Sequence, residues 1–223
     1  MGSTVPNMTR LFHGLTDKEA EMALRGLHAT EKSYRKGEIL LHAGTVTDRL
    51  GLVLAGSVTI ESNDIWGNRT ILGLIETGNI FAETYALLPG EPMLVDVCAN
   101  EDTRILFLRA DALINLSPQE ELWQSKLIRN LLHISSQKNL HLSGRNFHTA
   151  PKTVRGRIMA YLNSIALRRH GNEFDIPFDR QQLADYLNLD RTALSKELGK
   201  MQKEGILKFR KNHFIVCTNG QSD

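Results

Sequence analysis

Only two cysteines occur in the 223 residues, Cys98 and Cys217, 119 positions apart. There is no CxxC pair and no Cys/His cluster, which excludes a zinc finger and a cysteine-held iron–sulfur centre. Each thiol sits in an apolar setting (VDVCAN, FIVCTN), so both are expected to be buried structural residues of a protein from a reducing compartment. Long apolar runs are missing too: no window approaches the roughly 18 uncharged apolar residues that span a bilayer. The opening MGSTVPNMTRLF has no apolar core of a secretory signal. A soluble, cytoplasmic protein with no membrane partner is expected. The β-rich half contains no HxH pair, so the ligand set of a cupin-type metal enzyme is absent, and no nucleophile–base constellation is legible. The chain is not expected to be an enzyme.

Charge is present in both signs but unevenly. Residues 145–223 hold 14 Lys+Arg against 8 Asp+Glu, net +6, and residues 1–144 hold 13 against 17, net −4, which together make the chain's +2. A basic C-terminal half beside an acidic N-terminal half favours contact with a phosphate backbone through the former alone. The length suits two domains, each with its own core.

Thr16–Leu27 reads as a short helix with Thr16 as N-cap, Glu19 in capping-box spacing, and Ala20, Ala23, Leu24 and Leu27 on one face. From Glu31 to Leu108 the pattern breaks into short Gly-punctuated β runs: EKSY, GEILLHAG, GLVLAGSVTIES, NRTILGLIETG, NIFAET, LVDVCA and TRILFL. That spacing predicts a sandwich or barrel. From Ala110 to about Arg145 a helical stretch follows, interrupted near Ser117-Pro118. Its apolar seam, Leu127, Leu131, Ile134 and Leu142, points to packing on the same helix of a second copy, the alternative being burial within one monomer. His148-Thr149-Ala150-Pro151 reads as a hinge into a helix from Lys152 to His170, stopped at Gly171, with Val154, Ile158, Tyr161, Leu162 and Ile165 on its buried face.

The segment DRQQLADYLNLDRTALSKELGKMQKEGILKF, Asp179–Phe209, predicts two short helices joined by a tight turn. Asp179 and Gln182 form one capping pair and Asp190 is a second N-cap, while Asn188 suits the turn. Leu183, Ala184 and Leu187 bury the first helix; Leu194, Leu198 and Met201 bury the second, leaving Arg191, Thr192, Ser195, Lys196 and Lys200 on other faces. A polar, basic outer face followed by the hairpin pattern ILKFRKNHFIV suits a DNA major groove; a helical hairpin that only packs a core is the plainer alternative.

The order of parts resembles the Crp/Fnr family of bacterial transcription regulators over about Leu11 to Val216. The resemblance is carried by Gly37, Gly56, Gly78 and Ala82-Glu83 within GNIFAETYALLPGEP, by Gly156 in TVRGRI, and by the run RQQLADYLNLDRTALSKELGKMQKEGIL. It implies an α+β fold: an N-terminal double-stranded β-helix (jelly-roll) sensor domain at 1–110, a long dimerisation helix at 111–147 and a C-terminal winged helix-turn-helix at 148–223. It also implies a homodimer on double-stranded DNA with a partly palindromic operator, with RNA polymerase as a further contact. Arg191 matches the family's arginine at the start of the recognition helix and suits guanine O6 and N7. Lys196 stands where many members have a second arginine, and Thr192 replaces a common glutamate. Arg180, Gln181, Ser195 and Lys200 complete the expected interface, with Lys208, Arg210 and Lys211 of a basic wing on phosphates.

Members that bind cyclic AMP pair a glutamate with an Arg-Ser grip on the cyclic phosphate. Here Glu83 is present, but Met93 and Leu94 occupy the Arg-Ser positions. A buried phosphate there would lack a cation, so cyclic AMP is disfavoured. No cofactor is expected: the cysteine cluster for iron–sulfur is absent, and His28, His42, His133 and His141 are weak grounds for haem. The remaining expectation is a pocket of Glu83, Tyr85, Met93, Leu94 and Val95, closed by the long helix at Leu131, Ser135 and Leu142, for an unidentified neutral, aromatic or aminated effector. The alternatives are a roll whose Met93 and Leu94 merely fill a core, and an adaptor that keeps the winged helix for protein contacts.

Overall fold

The computed structural model describes residues 9–63, 69–114 and 122–217. The chain divides into two compact units, Met1–Ser135 and Ser136–Asp223. The Ser117-Pro118 break expected in the helical stretch falls outside the described residues.

The first unit opens with α1 (Asp17–Gly26). Thr16 Oγ1 accepts the Glu19 N–H while the Glu19 carboxylate accepts the Thr16 N–H at 2.7 Å, so two otherwise orphaned donors of the first turn are satisfied. Eight strands follow: β1 (Thr30–Tyr34), β2 (Ile39–Leu41), β3 (Arg49–Ala55), β4 (Ser57–Asn63), β5 (Arg69–Glu76), β6 (Ile80–Phe81), β7 (Asp96–Ala99) and β8 (Thr103–Arg109). They form two four-stranded antiparallel sheets, ordered β1-β8-β3-β6 and β2-β7-β4-β5. The run GLVLAGSVTIES is two strands, because Gly56 turns the chain with φ +78°. A Cβ there would lie 2.5 Å from Thr103 Oγ1 and 2.6 Å from the Asp102 carbonyl oxygen. NIFAET is strand only at its start. Ala82 enters the left-handed region (φ 59°) and redirects the chain into α2 (Glu83–Leu87).

The β3–β8 ladder is buried on both faces, which is why RLGLVLA and TRILFLR read as nearly continuous apolar runs. Leu50 pairs with Leu108 and Leu52 with Leu106, and these four side chains join Leu11, Phe12, Ala20, Ala23 and Leu27. On the other face Val53, Ile105 and Phe107 pack with Val58, Phe81, Met93 and Val97 inside the roll.

After α3 (Asp111–Ile114) comes α4 (Leu122–Thr149). Trp123, Leu127, Leu131 and Ile134 enter the core that holds α1. Asn130 Nδ2 donates to the Leu11 and His13 carbonyls at 2.8 Å each, and Lys126 Nζ lies 2.7 Å from both Glu19 carboxylate oxygens. The expected dimer seam is therefore corrected. Leu127, Leu131 and Ile134 are at most 9% exposed within one chain, and of the four only Leu142 faces solvent. Among the apolar side chains on more than one flank, α1 and the outer face of β3–β8 cover this set.

The second unit takes the end of α4, then α5 (Val154–Arg169), β9 (Glu173–Asp175), α6 (Arg180–Tyr186), α7 (Arg191–Lys203), β10 (Leu207–Arg210) and β11 (His213–Val216). The hinge begins later than expected: His148 and Thr149 are helical and His148 is buried, so the break is Ala150–Thr153. Pro151 disfavours helical backbone at Ala150, which sets the helix end at Thr149. Likewise α5 starts after Thr153, whose Oγ1 accepts the Gly156 N–H, and it stops at His170 in the left-handed region (φ 52°) rather than at Gly171. A Cβ at Gly156 would come within 2.9 Å of Pro151, so this close approach admits no side chain. Ile158, Tyr161, Leu162 and Ile165 bury against α6, α7 and the sheet β10-β11-β9, with Val154 half-buried beside them. Cys98 is buried as expected, but Cys217, which follows the central strand β11 of this sheet, is only half-buried.

The Lys126 ammonium and the Thr16 N–H hold the Glu19 carboxyl down at about 2, from an ordinary 4.5. A depressed folded-state value adds stability above the unfolded pKa and loses it as pH falls from about 4.5 toward 2. Thermal melts of Glu19→Gln should therefore lie below wild type at pH 7 and converge with it near pH 2; a gap that does not narrow would contradict this linkage.

Candidate nucleic-acid interface

Two caps set the positions of α6 and α7. Asp179 Oδ1 accepts the Gln182 N–H at 2.8 Å while Gln182 Oε1 accepts the Asp179 N–H at 2.9 Å, and Asp190 Oδ1 accepts the Ala193 N–H at 2.9 Å. Between the helices Asn188 adopts φ 51°, a conformation its short polar side chain tolerates. Two arginines tie this turn down. Arg157 Nη1 donates to the Leu187 and Asn188 carbonyls and its Nε to the Pro151 carbonyl; Arg145 donates to the Tyr186 and Asp185 carbonyls.

Leu194, Leu198 and Met201 are fully buried, which turns Arg191, Thr192, Ser195, Lys196 and Lys200 outward, all of them exposed. Among the described residues Arg191, Thr192, Ser195 and Lys196 have no side-chain partner, so their hydrogen-bonding groups stand free for a ligand. Behind them Glu197 and Glu204 both meet Arg155 of α5, at 2.7 Å each.

β10 and β11 form a hairpin with Lys211 and Asn212 at its tip, Lys211 at φ 55°. Lys208, Arg210 and Lys211 are exposed. Arg180 is drawn onto this wing, its guanidinium 5.0 Å from the Phe209 ring centre and its Nη2 donating to the Lys211 carbonyl. Gln181 is exposed and donates to Asp185. Next to the tip of the wing His213 lies between Asp175 (3.0 Å) and Glu173 (3.2 Å), and those carboxylates raise its pKa above 6.5. His148 goes the other way. It is enclosed by Tyr161 and Tyr186, and burial lowers its pKa.

The residues expected to line an effector pocket lie in different surroundings. Met93 is a core residue of the roll and Glu83 is buried, but Leu94 is 75% exposed and Tyr85 Oη accepts the Leu94 N–H at 3.3 Å. Val95 packs at the edge of the same core. Leu131 belongs to the separate core with α1, Ser135 is half-buried, and Leu142 is an exposed residue of the second unit. Among the described residues no three His, Cys, Asp or Glu side chains are grouped to hold a metal ion, and no helix is long and apolar enough to cross a membrane.

The family description of a cyclic nucleotide-binding domain matches residues 31–120, and that of a Crp-like helix-turn-helix domain matches residues 156–220. The chain belongs to the Crp/Fnr family. It is 27% identical to the cyclic AMP receptor protein of Thermus thermophilus over 198 residues, 89% of this chain and 88% of that one. To the transcriptional activator protein FnrL of Cereibacter sphaeroides it is 26% identical, over 84% and 76% of the two chains. Among solved structures it is similar to the Thermus thermophilus catabolite activator protein, with a TM-score of 0.51, 26% identity and 94% of each chain covered. This Crp/Fnr protein is a DNA-binding transcription regulator.

Sequence reasoning missed Arg155, Arg145, Arg157 and His148. Arg155 is 42 residues from Glu197, and His148 is 38 from Tyr186. No spacing rule links such pairs, and only the fold brings them together.

Proposed function

We propose that the regulator binds as a homodimer to a partly palindromic duplex, with α7 of each protomer in successive major grooves. The observation that carries this reading is the exposed, unpartnered polar face of α7 beside a basic wing. In it Arg191 pairs with guanine O6 and N7, Thr192 meets a thymine methyl, and Ser195 and Lys196 reach base edges or phosphates. Lys200, Lys208, Arg210 and Lys211 bind phosphates, which set register without reading sequence, and Gln181 stands beside them. Arg180, engaged by the wing rings, supports the wing's position. The output is occupancy of DNA in the cytoplasm, with RNA polymerase as the further protein contact, no cofactor and no catalytic step.

A different face of α4 supports the dimer. Leu132, Ser136, Leu140, Ser143 and Phe147 follow at three- and four-residue steps on the side opposite Leu127 and Leu131, and the three large ones are 65–75% exposed. Serines between them allow close approach of a symmetry-related helix. The effector is proposed to be something other than cyclic AMP, because Met93 is committed to a core and Leu94 faces outward at the position of the phosphate grip.

Three measurements test this reading. In gel shifts, Arg191→Ala should cost about 1–3 kcal/mol on a selected operator and relax one base position, whereas Lys208→Ala should weaken all duplexes alike and lower the salt slope by about 1. Identical behaviour of the two variants would refute the division of roles. Sedimentation should find wild type dimeric and Leu140→Asp monomeric at micromolar concentration; a monomeric wild type ends the dimer proposal. Titration calorimetry with cyclic AMP should show no heat of binding, and micromolar affinity would reverse the effector reading.

A further inference from the structure

We propose that Arg155 is a positioning residue for base recognition: from α5 it sets the roll of α7 about its own axis. The proposal rests on the reading of α7 as the helix that contacts bases. Arg155 Nε donates to Glu197 Oε1 at 2.7 Å, and its two terminal nitrogens donate to the two oxygens of Glu204 at 2.7 and 3.0 Å. One guanidinium therefore spends three donors on two carboxylates in a forked arrangement, the geometry in which arginine is most directional.

The two glutamates are seven residues apart, so they lie on nearly the same side of the helix, two turns and about 10 Å of rise apart. Glu197 stands in the middle of α7 beside Lys196, and Glu204 is its C-terminal cap residue. Holding both from a single point on a neighbouring helix restrains rotation. The apolar stripe of Leu194, Leu198 and Met201 fixes how deep α7 sits, but burial of apolar surface is non-directional and resists roll weakly. Roll matters to the function. A turn of about 10° moves an atom about 6 Å from the axis by about 1 Å, enough to take a bidentate contact out of hydrogen-bond geometry.

The bridge also controls charge, since Lys200 Nζ is 4.0 Å from Glu197 and the two carboxylates would otherwise add their repulsion to an approaching phosphate backbone. Orientation and charge make opposite predictions for variants at the two ends of the bridge. Arg155→Lys keeps the positive charge and loses the fork. The double variant Glu197→Gln, Glu204→Gln removes two negative charges and weakens the same fork.

The experiment takes a duplex enriched by the full-length wild-type chain from a randomised pool and measures binding to it and to a random duplex, with circular dichroism melts to establish folding. Both variants should lower the ratio of specific to random affinity about tenfold. Random-duplex affinity and its salt slope should stay at wild type for Arg155→Lys and rise for the glutamine pair. An unchanged ratio in both variants overturns the proposal. So does a loss in Arg155→Lys with none in the glutamine pair, which marks Arg155 as a direct contact to the selected duplex rather than a positioning residue. If one variant fails to fold, the ratio in the other decides. A wild-type chain that enriches no sequence overturns the base-reading role of α7 and this proposal with it.

Discussion

Burial of Leu127, Leu131 and Ile134 against α1 and the outer face of β3–β8 is the contact around which the first unit is arranged. It uses the second face of a ladder whose first face already closes the roll, so Leu50, Leu52, Leu106 and Leu108 are as deeply committed as Val53, Ile105 and Phe107. It fixes the entry of the chain as well, because Asn130 and Lys126 on the same helix hold the Leu11 and His13 carbonyls and Glu19. An α-helix has room for one such stripe on each side. One side of α4 is spent inside the monomer, and on the other Leu132, Leu140 and Phe147 are exposed.

The second unit solves a different problem, which is to hold a short helix still while leaving its outer face empty. Helices of this length are marginal alone, so α6 and α7 depend on caps and on the core beneath them. Asp179, Gln182 and Asp190 satisfy the first turns, and Leu183, Leu194, Leu198 and Met201 supply the burial. The side chains of Arg191, Thr192, Ser195 and Lys196 on α7 are thereby spared any structural duty. Such a division between a committed inner face and an idle outer one is what a surface for DNA requires.

Legibility in the sequence followed the range of the interaction. Capping pairs three residues apart, such as Thr16 with Glu19 and Asp179 with Gln182, were readable because both partners sit in one helical turn. The strands were readable as short runs punctuated by glycine, and the two helices of the turn motif from their apolar spacing. What failed depended on which neighbour covers a face. Leu127 and Leu142 look alike in the chain, yet one is fully buried and the other 60% exposed. Leu94 looked like pocket lining but is exposed at a bend in the chain, while its neighbour Met93 is buried in the roll. His170 stands in the left-handed position that Gly171 seemed made for, one residue earlier than pattern alone suggests. The forked bridge of Arg155 joins positions some forty residues apart, beyond any local rule.

The turn between α6 and α7 is held by Arg145 and Arg157 chiefly through main-chain carbonyls, those of Asp185, Tyr186, Leu187 and Asn188. Every residue type brings a carbonyl, so these bonds survive most changes in the identity of the turn residues. The scaffold is thus largely indifferent to the letters it presents. On the proposed reading of α7, a lineage carrying it can drift toward new operators by substitution on the outer face of that helix without having to reinvent the angle at which it is offered.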